Sequence, residues 1–147
     1  MIDILMKYIH ILAFMVVFTV IFMEMILIKA TSSSRDVLLV KRYQKILWSF
    51  LLLTLLSGLF KLVTMGEHAS IYMKNGVFHV KFTLFLIIAL LTLLPYRFFR
   101  KLTLQGEADD KIAIPRSVRL VLHIQMLLLV LLPLLGVMMV RGIGYFG

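Results

Sequence analysis

The stretch LVLHIQMLLLVLLPLLGVMMV, residues 120–140, is apolar over almost its whole length. It contains one histidine and one glutamine but no Asp, Glu, Lys or Arg. About 20 helical residues at ~1.5 Å each span the ~30 Å hydrocarbon core of a bilayer. In hydrocarbon every backbone polar group needs a partner within the protein, and a helix supplies one. The stretch therefore predicts a transmembrane helix.

Three further runs of this kind precede it, at residues 8–28, 46–63 and 78–94. The whole chain has 62% hydrophobic and 16% charged residues, with a mean hydropathy of +1.04. A soluble domain is closer to half apolar and about a quarter charged. This composition excludes soluble globular and disordered classes. It predicts an all-α, integral membrane four-helix bundle that forms a single transmembrane domain over residues 1–147.

The composition also limits the chemistry. The chain has no cysteine, which excludes disulfides, thiolate metal sites, iron–sulfur clusters and covalent c-type haem attachment. The net charge of +9 resembles that of a nucleic-acid-binding protein. In so apolar a chain we attribute it instead to basic loops beside anionic lipid headgroups, and we expect no nucleic-acid partner.

Basic residues give the predicted orientation. Of the 16 Lys and Arg residues, five lie between the first two runs and six between the last two. The positive-inside rule places these two loops in the cytoplasm, so both termini are expected outside. The predicted location is the bacterial inner membrane, as a multi-pass protein in contact with the lipid bilayer. The eleven residues are Lys29, Arg35, Lys41, Arg42, Lys45, Arg97, Arg100, Lys101, Lys111, Arg116 and Arg119.

Ionisable residues inside membrane spans are costly and point to functional sites. His10 lies near the outer end of the first span, and His79 near the outer end of the third. Two imidazoles on separate helices are the axial ligands that a b-type haem needs. We therefore predict haem b between His10 and His79. The basic side chains expected to pair with its propionates are Lys7, Lys61, Lys81 and Arg141.

The spacing of His79 and Lys81 along the third span limits which of them can face the predicted haem. His79 and Lys81 are two positions apart, about 200° around a helix, so both cannot face one narrow pocket. The sequence leaves open which of the two does. Ligation by both histidines would favour electron transfer, whereas ligation by His10 alone would leave the iron open to a substrate or to oxygen.

A second polar position lies near the inner leaflet, where Glu24 and His123 are expected at the same level. We predict that they form a buried polar pair, with a proton path as the alternative role. Ten methionines, including Met138 and Met139, leave copper(I) handling as another alternative. Methionine is also an ordinary gap-filler in apolar cores.

Several motifs resemble those of a bacterial inner-membrane family, domain of unknown function 2214. They are Lys7-Tyr-Ile-His10, Glu24, KNGVFHVK at residues 74–81, Pro95, and PLLGVMMVRGIG at residues 133–144. The family is in turn distantly similar to HemJ-type protoporphyrinogen oxidases and CopD-type membrane proteins. That resemblance implies a haem or porphyrin site in which His10 and Lys81 match the two functionally important HemJ positions.

The function expected from these observations is haem b binding for electron transfer or tetrapyrrole redox work. An enzyme is the first alternative, a HemJ-like protoporphyrinogen oxidase. Copper transport or sensing and a cofactor-free assembly subunit are the others. A redox partner and a homo-oligomer are also expected, because four short helices make a thin bundle.

Overall fold

A computed structural model describes residues 2–64, 73–102 and 110–146 of this protein. These residues form four helices: α1 (Ile2–Leu27), α2 (Ser34–Thr64), α3 (Gly76–Lys101) and α4 (Arg116–Val140). They also form two short strands, β1 (Thr31–Ser33) and β2 (Lys111–Ala113). All four helices are long and apolar enough to cross a membrane. The predicted four-helix membrane bundle is therefore confirmed.

The bundle consists of two helical hairpins. α1 packs mainly on α2 and α3 mainly on α4, and the hairpins meet through contacts of α1 with α4 and of α2 with α3. Large apolar side chains remain exposed on the outside of every helix. Such a surface is suited to a bilayer, because apolar side chains are stable against lipid tails and costly to expose to water.

Two helices extend beyond the predicted apolar runs. α2 begins well before residue 46, at Ser34, because Ser33 and Asp36 form a cap there. The Ser33 Oγ donates to Asp36 Oδ2 at 2.9 Å and accepts from the Asp36 backbone N–H at 3.2 Å. α3 continues past Pro95, which lies buried inside the helix rather than ending it. Proline is tolerated in a membrane helix where neighbouring groups re-satisfy the backbone.

The sequence did not predict the two strands. β1 and β2 pair antiparallel, with Thr31 opposite Ala113 and Ser33 opposite Lys111. This ribbon joins the α1–α2 connection to the α3–α4 connection. The two basic loops therefore lie at the same end of the bundle, as the charge pattern predicted.

Two apolar clusters form the core. The ribbon-side cluster contains Ile28, Val37, Val40, Phe99, Ile114, Val118 and Leu122. The central cluster contains Val17, Val20, Ile21, Leu47, Leu51, Ile88, Leu129 and Leu132. Along every helix the central cluster lies farther from the ribbon than the ribbon-side cluster does.

The ribbon end is predicted to face the cytoplasm. Lys111 lies at this end and Lys74 at the opposite end, and both side chains are exposed. Because the chain has no cysteine, Lys111→Cys and Lys74→Cys each introduce a single labelling site. In intact spheroplasts a membrane-impermeant maleimide should label the variant at residue 74 and not the one at residue 111. The reverse pattern would invert the orientation.

Candidate functional site

A cavity of about 440 Å³ opens at the end of the bundle away from the ribbon. All four helices line it, mostly with aliphatic and aromatic side chains such as Phe14, Phe78, Phe82 and Leu132. Its polar lining includes His10 from α1, Lys61 from α2 and Lys81 from α3. Its size lies within the range of ~300–1,000 Å³ that is typical of small-molecule pockets.

His10 is held in a defined orientation. Its Nδ1 lies 2.9 Å from the Ser57 Oγ, and that hydroxyl lies 2.7 Å from the Leu53 carbonyl oxygen. The serine has one proton, which it donates to the carbonyl, so it accepts from an Nδ1–H of His10. The contact therefore favours the tautomer whose Nε2 carries a lone pair. A hydrogen-bonded Nδ1–H with a free Nε2 is the usual arrangement of a metal-binding histidine.

Two glycines permit the close packing of the polar side chains. A Cβ at Gly58 would lie 3.2 Å from the His10 Cε1, so glycine lets the imidazole rest against α2. A Cβ at Gly136 would lie 3.3 Å from the Lys81 Nζ, which places the ammonium group against α4. Ser57, Gly58 and Gly136 were not predicted as site residues from the sequence, although Gly136 lies in the PLLGVMMVRGIG motif. The Ser57-Gly58 pair inside a leucine-rich span was the available signal, because small residues allow close approach in membranes.

The site has a positive electrostatic character. The Lys61 and Lys81 ammonium groups interact electrostatically with His10, and also with each other. No Asp or Glu is found among the described residues that line the cavity. An apolar cavity with two lysines suits a ligand with a large apolar body and negative charges at its edge.

The structure does not bring His10 and His79 together. The His79 side chain is exposed and its Nε2 lies 2.8 Å from the Met73 carbonyl oxygen. Lys81 lines the cavity instead, and the helical rotation of about 200° between the two positions then directs His79 away from it. Of the two possibilities that the spacing left open, this geometry favours Lys81.

The other two basic residues predicted to pair with the propionates, Lys7 and Arg141, lie at the same end of the bundle but outside the cavity lining. The Lys7 and Arg141 side chains are both exposed. Arg141 ends α4, and its backbone N–H donates to the carbonyl oxygens of Val137 and Met138, each at 3.2 Å. Neither residue is among those that line the cavity.

The predicted pair of Glu24 and His123 is corrected by the structure. Glu24 is fully buried, and both its carboxyl oxygens accept from the Gln44 Nε2, at 2.8 and 2.9 Å. His123 is exposed, and its Nδ1 lies 2.7 Å from the Arg119 carbonyl oxygen of its own helix. The reason is the packing order, since α1 packs chiefly on α2 and thus meets Gln44.

A metal site of the classical kind is not formed by the described residues. No group of three or more His, Asp or Glu side chains lies close enough there to hold an ion. A metal bound at the cavity would therefore depend on His10 together with ligands of another kind, such as the four nitrogens of a tetrapyrrole.

Comparison with known proteins identifies the family. No curated protein sequence and no solved structure matches this chain. A family model described as predicted membrane protein, DUF2214, matches residues 2–144, which is nearly the whole chain. With its four membrane-spanning helices, the chain belongs to the DUF2214 family of predicted membrane proteins.

Proposed function

We propose that the cavity binds a tetrapyrrole, haem b, with His10 as the protein ligand to the iron. One observation carries this proposal. An imidazole with its Nδ1–H fixed by Ser57 shares an apolar cavity with Lys61 and Lys81, and the described lining has no acid.

The residues present fit the group. Haem b has a flat apolar ring, which the phenylalanines of α1 and α3 can contact, and two propionates. Charge-assisted hydrogen bonds from Lys61 and Lys81 would hold the propionates and fix the ring orientation. His10 is half-buried, with its imidazole resting against Gly58 of α2. When bound, the haem would supply a one-electron iron couple whose potential depends on its axial ligand and surroundings.

The function we propose is electron transfer or tetrapyrrole redox chemistry in the bacterial inner membrane. The alternative is a HemJ-like protoporphyrinogen oxidase, and a specific observation favours keeping it. His10 and Lys81, which on that resemblance would match the two functionally important HemJ positions, both line this cavity. Protoporphyrinogen carries the same two propionates as haem on a puckered, non-aromatic ring, so Lys61 and Lys81 could hold the propionates of either molecule.

Haem titration of the purified protein tests the proposal. We expect a shifted Soret band that saturates at one haem per chain. Lys61→Met and Lys81→Met should each weaken binding by roughly 10- to 100-fold, because a hydrogen bond to a charged group contributes about 1.5–3 kcal/mol. Their spectra should keep the wild-type shape, because a propionate contact leaves the iron ligand in place. Lys74→Met, an exposed lysine at the same end, is the matched control.

Two results would contradict the proposal. A folded protein that binds no haem would leave the cofactor-free assembly subunit, and one that instead binds copper(I) would favour copper transport or sensing. If haem binds, the oxidation of added protoporphyrinogen under oxygen distinguishes the oxidase from an electron-transfer protein.

A further inference from the structure

A buried polar layer crosses the bundle between its two apolar clusters. Each helix contributes one residue to this layer: Glu24, Gln44, Thr92 and Gln125. On α1, for example, Glu24 lies between Ile21 of the central cluster and Ile28 of the ribbon-side cluster. All four side chains are at most 2% exposed. The central cluster separates the layer from the cavity described above.

The layer consists of two hydrogen-bonded pairs. Gln44 Nε2 donates to both carboxyl oxygens of Glu24. Gln125 Nε2 donates to the Thr92 Oγ1 at 2.7 Å and to the Ile88 carbonyl oxygen at 3.2 Å. One pair therefore fastens each helical hairpin at this level.

The Glu24 pair is incomplete in two respects. Among the described residues no Lys, Arg or His forms an ion pair with Glu24, although an ionised carboxylate without a counter-charge is very costly to bury. In addition, the Gln44 Oε1 is buried and accepts no hydrogen bond within the described part of the chain. Buried acceptors almost always have a donor. The Gln125 Oε1 of the other pair is also buried without one, but only the Gln44 Oε1 belongs to a pair with a carboxyl group, which can supply the missing donor as an O–H.

We propose that Glu24 is a proton-binding site, enclosed within the membrane by the two apolar clusters. One proton added to a Glu24 oxygen changes the side chain from −1 to neutral, and no electron moves. The new O–H donates to the Gln44 Oε1, while the Gln44 Nε2 continues to donate to the other Glu24 oxygen. A rotation of the Gln44 amide is enough to form these two hydrogen bonds. Glu24 then carries no unpaired charge, and the Gln44 Oε1 has a donor.

The enclosure has a consequence for exchange. Phe99 and Leu122 lie on the ribbon side of the layer and Ile21 and Leu129 on the cavity side, and all are buried. Water therefore reaches the Glu24 carboxyl only when one cluster opens. The bound proton should exchange slowly with solvent, and faster when either cluster is weakened.

Infrared spectroscopy of the protein in lipid nanodiscs tests the proposal. At neutral pH we expect the C=O stretching band of a protonated carboxyl, with the intensity of one group per chain. The band should be absent from Glu24→Gln and unchanged in Asp110→Asn, since Asp110 is exposed. In D₂O it should shift slowly, and Phe99→Ala should accelerate the shift.

A second variant keeps the test valid if Glu24→Gln does not fold. Gln44→Leu removes the acceptor of the new O–H, so the same band should move to higher frequency. A folded wild-type protein without the band at neutral pH would overturn the proposal. So would a band that added Na⁺ abolishes at constant pH, because the site would then hold an alkali cation.

Discussion

The His10→Ala variant is expected to lose haem binding, whereas His79→Ala is expected to bind haem like the wild type. His10 lines the cavity with its Nδ1–H held by Ser57, whereas His79 is exposed beside the Met73 carbonyl. Changes to the groups that hydrogen-bond to metal ligands already cost about 10- to 100-fold in affinity. Loss of the ligand itself should therefore weaken binding by more than about a hundredfold.

The affinities and Soret spectra of the two variants, measured by haem titration, check this expectation. The Ser57→Ala variant gives a finer test, because it removes the partner of the Nδ1–H and leaves the imidazole in place. It should weaken binding by roughly tenfold. If His79→Ala instead changes the spectrum from low spin to high spin, the result supports the ligation by both histidines that the sequence predicted. Unchanged haem binding in the double variant of both histidines would remove the site from this cavity.

The Gly144→Ala variant is expected to loosen the C-terminal segment about ten times more than Gly142→Ala does. Both glycines have positive φ, +83° at Gly144 and +74° at Gly142, so alanine is strained at either position by about 1–2 kcal/mol. Only Gly144 is also crowded. A Cβ there would lie 2.6 Å from the Val77 Cγ2, whereas a Cβ at Gly142 would meet nothing within 4 Å.

The contacts of this segment with the start of α3 make the effect measurable. The Gly76 N–H donates to the Gly144 carbonyl oxygen at 2.8 Å, and the Phe146 N–H donates to the Lys74 carbonyl oxygen at 3.0 Å. Strain and overpacking together should lower the free energy of opening this segment by about 3 kcal/mol. That corresponds to a roughly hundredfold loss of hydrogen-exchange protection at these two amides, against about tenfold for Gly142→Ala. Equal losses in the two variants would show that the contact with Val77 is unimportant.

The sequence by itself determined the membrane class and the four helices. Long apolar runs with so few charges have no other stable arrangement in a bilayer, because the backbone must satisfy its own hydrogen bonds. It also placed both basic loops at one end of the bundle and identified His10 and Glu24 as polar groups inside spans. These conclusions depend on the length, composition and order of the runs, which are local properties of the chain.

Only the tertiary structure decided which side chains meet. The choice of Lys81 over His79 at the cavity and of Gln44 over His123 beside Glu24 depends on how each helix is rotated against its neighbours. In a soluble bundle the polar face of each helix would reveal that rotation. Here lipid covers the outer faces, so Leu, Ile and Phe occur on every side of each helix. The sequence pattern therefore does not distinguish the buried face from the lipid-facing one. The pairing of β1 with β2 and of Asn75 with Tyr145 was hidden for a related reason, because each joins segments that are distant in the chain.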